Sequence, residues 1–521
     1  MGNNSRTTFI IKNATWNYVG KLLYSLLGLV NRTIIINYLG VSYLGVNGLY
    51  TNVLGILSLT EFGLSYAINY CLYKPIAEKD YEKVNAYVHY FKRIYRIVII
   101  LVLVLGTLIA PFLKYIVKDP GAVSTKELYI FYFIYLFNTA ISYISAHNSS
   151  VNFAQQKGYL ITNIQSISNV LLVVCQTISL ILFRQYLIYL LIHSFFILLT
   201  GIYINFYVRK RNPFLKSKNY SHLEKKEIVA VRKQMGALLV SKIGEVCVTS
   251  SDNLIISALN GLNAVGIVSN YLVIIDTISS FTLSVINAFI PSFGNAIAVE
   301  SKEKVNSFFK LYDFLTNWIC GVAAICLFTL LTPLIHVWVG EKYSVPISVV
   351  ACLALNFYMF GMRMCPNHVS NAAGLFAPNK YVSFIQGAVN LVISILLGKV
   401  LGVLGVFIGT IVSGLVPSIW RPITIFKYYF KSSSKQYFTN YLGNLLLVVS
   451  LAVIFGVPIQ SFHLIHNWFT LIVFAIVVFV VTNFIFILVY RKKPEYVELK
   501  GRLYALLSSL KKRLQRGRND K

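Results

Sequence analysis

Eight ionisable residues of this 521-residue chain lie within long apolar segments. A charge at the centre of a bilayer costs roughly 2.5–3.5 kcal/mol on insertion scales, so such residues commonly line a cavity, bind a ligand or relay ions. The alternative is that they pair inside a helix bundle or reach out to the membrane surface. Four are bases and four are acids: Lys21, Arg32, Lys242, Arg363, Glu61, Glu245, Asp252 and Asp276.

The four bases suit an anionic ligand, above all a phosphate. Lys21 and Lys242 each lie about nine residues inside a predicted helix, or about 13 Å at 1.5 Å per residue, which is too deep to reach the surface easily. Each belongs to a polar stripe at helical spacing, one also containing Arg32 and the other Asp252. We therefore predict that Lys21, Arg32, Lys242 and Arg363 bind the substrate. Pairing of Lys242 with Glu245, or of Arg363 with Glu61, is the structural alternative.

The acids suggest coupling to a cation gradient. Asp276 lies near the middle of a predicted helix, where a carboxylate could bind H⁺ or Na⁺. Glu245, Asp252 and Glu61 are further candidates, and each could instead be an ion-pair partner. Seven cysteines occur singly, without a CxxC or a Cys/His cluster. No metal site, disulfide or cofactor other than a coupling ion is predicted.

Long helices must position these residues. The chain is 56% hydrophobic, only 12% charged, and has a mean hydropathy of +0.66. Its apolar runs are about 20 residues long, enough to cross a hydrocarbon core of about 30 Å, and they do not alternate as barrel strands do. We predict an all-α membrane protein with fourteen helices, at 13–37, 44–73, 93–114, 127–147, 159–183, 186–209, 235–259, 264–291, 313–339, 346–370, 381–401, 403–428, 440–458 and 467–490.

The basic residues predict the orientation of the chain. Its net charge of +29 could indicate a nucleic-acid partner, but most Lys and Arg lie in loops and in one tail. Of the 47 bases, 37 lie on one side of the predicted bundle, including helix ends, and six lie on the other. Cytoplasmic loops are enriched in Lys and Arg, so both termini are predicted to be cytoplasmic in a cell membrane. The tail, 491–521, has leucines at helical spacing between bases, which predicts an amphipathic helix on anionic lipids.

The chain contains an internal repeat with an offset of 221 residues. Glu82-Lys83-Val84-Asn85 aligns with Glu303-Lys304-Val305-Asn306, and Lys21 aligns with Lys242. We predict an N-lobe at 1–209, a basic linker at 210–234, a C-lobe at 235–430 and two extra helices at 431–490. Two halves that enter the membrane in the same direction are related by an axis along its normal, with the transport path between them.

Other aligned pairs have simple structural explanations. The glycines at 40, 45, 261 and 266 flank short predicted outer turns, where they need only a turn conformation. His147 and His368 align at predicted cytoplasmic helix ends, where packing is the expected role.

Two motifs resemble a transporter family. NYLGVSYLGVNGLY (37–50), followed by LSLTEFGLSYAI (57–68), is similar to the turn and second helix of polysaccharide exporters of the Wzx type. SSDNLIISALNGLNAVGIVSNY (250–271) is similar to their seventh helix and its turn. The resemblance covers nearly the whole chain and points to the polysaccharide branch of the multidrug/oligosaccharidyl-lipid/polysaccharide flippase superfamily. It implies a flippase for undecaprenyl-pyrophosphate-linked oligosaccharide, with alternating access and a cationic cavity.

Three functions fit the sequence to different degrees. A flippase fits best. The sequence does not specify the sugar of its substrate, and a teichoic-acid precursor fits too. A cation-coupled drug exporter of the same fold is second, because four bases accompany the four acids. A membrane enzyme is third, because the longest predicted external loop, about 114–127, is too short for a reaction domain. The sequence has no P-loop, HExxH or GxSxG motif. A monomer is predicted, with polysaccharide-assembly proteins as further partners.

Overall fold

The computed structural model describes residues 24–57, 61, 64–155, 157–217, 223–287 and 289–502. All regular elements in this described part are helices. Eleven of them are long and apolar enough to cross a membrane. The predicted multi-pass α-helical fold is therefore confirmed. The predicted number of fourteen membrane-spanning helices is not confirmed. Helices 1 and 2 include residues outside the described part, and helices 7 and 8 join into one long element.

The helices keep the numbers of the prediction. The first six are α1 (24–38), α2 (Val41–Leu57, then Leu64–Ala77), α3 (Tyr81–Ile109), α4 (Thr125–Ser142, continuing to Ala154), α5 (Gly158–Phe183) and α6 (Tyr186–Arg211). Element Lys225–Asn287 breaks at Gly261, where φ is +84°, and its arms are α7 (225–260) and α8 (262–287).

Short helix Ile290–Val299 precedes the last six long helices. These are α9 (Lys302–Trp338), α10 (Ile347–Met362, continuing as Met364–Ala372), α11 (Val382–Leu401), α12 (Val403–Thr424, with a π turn to Phe430), α13 (Lys435–Ser461) and α14 (Trp468–Tyr490). A tail helix begins at 494.

Several helix ends have local sequence causes. The Asp80 side chain accepts a hydrogen bond from the Lys83 N–H and caps α3. Ser124 and Glu127 form a reciprocal capping box at the start of α4. Such caps satisfy N–H groups that have no partner within the helix. At the other end of α5, Arg184 adopts the left-handed conformation that terminates a helix.

The chain forms two compact units that are not single stretches of sequence. The first contains the described residues up to Ser269 together with Gly387–Val406. Its core is built largely from α2, α3, α4 and α6, with tyrosines such as Tyr50 and Tyr132 fully buried. The second contains Asn270–Gln386 and the residues from Phe407 onward. In it, α9 packs against α10, α13 and α14. The lobe boundaries given by the sequence repeat stay predictions.

Candidate functional site

The starts of α2 and α8 cross at unusually short range within the first unit. A Cβ added at Gly45 would lie 2.1 Å from the carbonyl oxygen of Leu262. A Cβ added at Gly266 would lie 2.2 Å from the carbonyl oxygen of Val41. Gly45 aligns with Gly266, and Val41 aligns with Leu262, at the repeat offset of 221. The contact is therefore reciprocal, as at a two-fold symmetric interface.

A hydrogen bond marks the pseudo-two-fold axis of this crossing. The Ser42 hydroxyl donates to Asn263 Oδ1 over 2.6 Å, and these residues are also 221 apart. A residue that contacts its own repeat equivalent lies on the axis relating the two halves. The structure thus places the starts of α2 and α8 around a local pseudo-two-fold axis that relates these repeat-equivalent segments.

The prediction for the four glycines is half right. Gly40 and Gly261 have φ of +100° and +84°, so they are turn glycines as predicted. Gly45 and Gly266 lie inside α2 and α8, where their missing side chains allow backbone contact. A turn explanation is therefore wrong for these two positions. Only glycine permits so close an approach of two backbones.

The loop between α3 and α4 covers the same end of the crossing. The Leu262 N–H donates to the Asp119 carbonyl over 2.9 Å. The Lys118 ammonium donates to the Leu259 carbonyl over 2.9 Å. The backbone N–H of Lys118 donates to the Ser257 carbonyl over 3.4 Å. These bonds attach the loop to the turn between α7 and α8. Together with the glycine contacts, they hold the α3–α4 loop and the starts of α2 and α8 together, on the predicted outer side.

Arg32 of α1 lies beside the crossing. Its guanidinium donates to the Ser269 hydroxyl, which in turn donates to the Gly266 carbonyl over 2.7 Å. The preceding residue, Asn31, is buried, and its amide donates to Tyr189 Oη over 3.4 Å. The predicted substrate-binding base Arg32 thus contacts α8 next to one of the two close-contact glycines.

Tyrosines of α4 and α6 and an asparagine of α2 form a polar network in the same unit. Tyr135 Oη lies 3.0 Å from Tyr186 Oη and donates to Asn47 Oδ1 over 2.8 Å. The rings of Tyr186 and Tyr189 stack with centroids 5.4 Å apart. Sequence reasoning missed this network, because these positions share no spacing pattern and the chain has 35 tyrosines.

Arg363 occupies the junction between the two segments of α10 in the second unit. It is 8% exposed, and its Nε is buried without a hydrogen-bond partner among the described residues. Its guanidinium carbon lies 5.3 Å from the ring centroid of Phe360, a cation–π distance. Gly414 lies beside it, and a Cβ there would be in ordinary contact with a guanidinium nitrogen, at 3.5 Å.

The electrostatic neighbours of Arg363 favour an anion. Within the described part of the chain, the groups that act on it are the Tyr441 hydroxyl and the guanidinium of Arg421. Arg421 donates to the Asn367 side-chain oxygen. Two guanidinium groups close enough to repel each other gain from a shared anionic ligand, and phosphate is the group they bind best.

An acidic residue that the sequence analysis overlooked lies in the same unit. Asp313 was placed at the edge of predicted helix 9, but α9 begins at Lys302, so Asp313 lies about three turns inside it. Its Oδ1 is buried without a hydrogen-bond partner among the described residues. Lys493, Glu495 and Tyr441 lie near enough to interact electrostatically with the carboxyl group. Starting predicted helix 9 at its N-cap residue, Ser301, would have placed Asp313 inside the helix.

The remaining predicted site residues are less informative. Lys21, and the side chains of Lys242 and Glu245, lie outside the described part of the chain. Asp276 is exposed on α8, while Asp252 and Glu61 are half-buried in the first unit. The roles of all six stay predictions.

Comparison with protein families identifies the chain. The family model described as polysaccharide biosynthesis protein matches residues 10–297, which is more than half of the sequence. The chain belongs to this family. The matched region includes α1 to α8 and therefore the reciprocal crossing and Arg32. The family and the eleven apolar helices of the described part together define a multi-pass membrane protein of this family.

Solved structures confirm the fold of this polysaccharide biosynthesis protein. It is similar to the lipid II flippase MurJ in an inward closed conformation, with a TM-score of 0.61 and 16% identity over 92% of this chain and 99% of the other. It is similar to an inward-facing MATE family multidrug transporter, with a TM-score of 0.61 and 15% identity over 79% and 96%. No curated protein matches the sequence.

Proposed function

We propose that this polysaccharide biosynthesis protein flips oligosaccharide units linked to undecaprenyl pyrophosphate across the cytoplasmic membrane for surface polysaccharide assembly. The proposal rests on membership of the family and, in this chain, on one observation. Arg363 is buried beside Arg421, and its Nε has no partner among the described residues. A buried guanidinium with an unbonded Nε is costly, so the site is suited to a ligand that brings negative charge.

Alternating access supplies the mechanism. The reciprocal crossing of α2 and α8 would close one end of the transport path that the sequence repeat predicts between the two halves. Separation of the two helix starts would open that end. Arg32, which bonds to Ser269 at the crossing, would be released by the same movement and could follow the departing pyrophosphate.

Lys21 and Lys242 complete the proposed anion path. They are repeat equivalents, and each is predicted about 13 Å inside its helix. A pyrophosphate needs more than one positive partner in a low-dielectric interior, and ammonium groups act as compact charges that allow release. Coupling to H⁺ or Na⁺ through Asp276, with Glu245, Asp252 and Glu61 as alternatives, is part of the same proposal.

The test is polysaccharide display by a strain lacking the native protein and expressing variants at matched membrane levels. Arg363→Met should abolish most display, because the apolar side chain fills the site but provides no charge. Arg363→Lys should retain part of it, because the charge remains while the planar fork is lost. Lys427→Gln removes an exposed base of the same unit and should leave display unchanged.

The drug exporter of the same fold makes the opposite prediction. Export of a cationic drug should improve or stay constant when Arg363 loses its charge, since a buried base repels a cationic substrate. Normal polysaccharide display by Arg363→Met, with drug resistance altered, would replace the flippase with that exporter.

A further inference from the structure

A dense cluster of bases lies at one end of the first unit, away from the crossing. Lys92 and Arg96 are on α3, and Arg209 is at the end of α6. Lys92, Arg96 and Arg209 all lie close enough to act electrostatically on His147, and Lys92 is itself affected by Arg96 and Arg209. Lys92 is half-buried, whereas Arg96 and Arg209 are exposed. Like charges held this close repel each other unless an anion lies among them.

His147 lies beneath this cluster with its polar atoms unsatisfied. The residue is 5% exposed, and neither ring nitrogen has a hydrogen-bond partner among the described residues. Buried polar atoms in folded proteins are nearly always bonded, so an exception requires an explanation. A neutral imidazole always has one N–H to donate, and no described residue accepts it here.

The second half of the repeat shows what a satisfied version looks like. His368 is the equivalent of His147, and its Nδ1 lies 2.9 Å from the hydroxyl of Tyr312. The position equivalent to Tyr312 is Phe91, which has no hydroxyl. The partner that Tyr312 supplies in one half is therefore not supplied by the equivalent position in the other. Helix-end packing, the role predicted for both histidines, describes His368 better than His147.

The neighbouring face of α3 is exposed, whereas the equivalent face of α9 packs against α13 and α14. In the second half, Asn317 of α9 is fully buried and donates to Tyr490 of α14 over 3.1 Å. Its equivalent on α3 is Arg96, followed by Ile97 and Ile100, which are 56% and 60% exposed. The face that α13 and α14 cover on α9 is thus open to lipid on α3.

We propose that Lys92, Arg96 and Arg209 bind the phosphate of an anionic phospholipid headgroup, with His147 as an additional donor and an acyl chain along the apolar stripe of α3. The stripe continues from Ile97 and Ile100 for the length of the helix, as Leu101, Val104 and Leu108, all exposed. A basic group of side chains directly above an apolar helix face matches a phospholipid, which carries its negative charge directly above its acyl chains. A soluble phosphate would use only the basic part.

The experiment measures thermal unfolding of the purified full chain in detergent with added phosphatidylglycerol or phosphatidylcholine of the same acyl chains. Wild type should be stabilised more by phosphatidylglycerol, since a ligand of the folded state raises the unfolding midpoint. Lys92→Gln/Arg96→Gln should lose this preference. The matched control, Lys427→Gln/Lys435→Gln, removes two exposed bases from the second unit and should keep it.

Native mass spectrometry of the same proteins provides a second readout. Retained phosphatidylglycerol should fall at least several-fold in the Lys92→Gln/Arg96→Gln variant. His147→Leu should cause a smaller fall, because it removes a donor and no charge, and Arg209→Gln serves if the double variant does not fold. Equal losses in the control would show diffuse attraction to a basic surface and overturn the proposal. An equal stabilisation of wild type by inorganic phosphate would also overturn it.

Discussion

Replacing Gly45 with alanine tests whether the α2–α8 crossing is a gate. The added Cβ would lie 2.1 Å from the Leu262 carbonyl oxygen, whereas ordinary contact begins near 3.4 Å. The atom met is backbone, so relief requires the helices themselves to separate, by about 1 Å. Overpacking of this kind typically costs about 1–3 kcal/mol.

That cost applies only to conformations in which the crossing is closed. Destabilising one of two states by about 1–3 kcal/mol shifts their ratio about 5- to 150-fold. Gly45→Ala should therefore favour the state open at this end, and Gly266→Ala, its repeat equivalent, should do the same. Export should fall with either substitution, because a transporter held in one conformation returns slowly to the other.

Cysteines at 42 and 263 report the closed state directly. The native Ser42 and Asn263 side chains are 2.6 Å apart, so a cysteine pair should cross-link in a background without the seven native cysteines. Gly45→Ala should slow cross-linking by up to the same 5- to 150-fold factor, which is reached when the closed state is the less populated one. Gly55→Ala is the control on the same helix, since its Cβ would lie 3.4 Å from Ser250 Oγ. Equal cross-linking rates in the Gly45→Ala and Gly55→Ala proteins would refute the gate.

Three further outcomes are expected. A hydrogen bond from Lys83, 2.7 Å away, lowers the pKa of Glu227. Glu227→Gln should therefore reduce thermal stability, by less than about 1 kcal/mol as for surface pairs. The deficit should be full above pH 4.5 and vanish as the pH falls through the lowered pKa; a constant deficit would contradict this. A cysteine in 212–222 should be labelled only from the cytoplasm and one in 119–125 only from outside, and labelling from one side would disprove the topology. Asp276→Asn should remove the effect of an ionophore on transport, whereas a normal response would make this acid structural.

Much of the fold could be predicted because membrane insertion imposes simple rules. A helix must be about 20 residues long and apolar to span the bilayer, and both properties can be read directly from sequence. The repeat could be found because four identical residues, two of them charged, recur at one offset. No pairing of Ser42 with Asn263 was expected, although the two are equivalent at that offset.

The close approach of α2 and α8 could not be predicted, because a glycine in a turn and a glycine in a helix crossing look alike in sequence. Asp313 was missed for a different reason. Helix limits were drawn where hydropathy rises, yet α9 begins at a capping serine well outside the apolar run. Charged residues in the first turns of a long helix are easily assigned to a loop, although the helix carries them into the protein.

The two halves of the repeat differ in charge along equivalent stretches of α3 and α9. Lys92 occupies the position of Asp313, and Arg96 occupies that of Asn317. Because α13 and α14 cover α9, a carboxyl group and an amide can be buried there among tyrosines. The same face of α3 has no covering helices within the described chain, and bases that interact with lipid phosphate are the residues suited to it. In the sequence, Lys92 and Arg96 look like part of a general cytoplasmic excess of Lys and Arg. Their position is specific, because α13 and α14 cover the second half of the repeat and leave the equivalent face of the first half exposed.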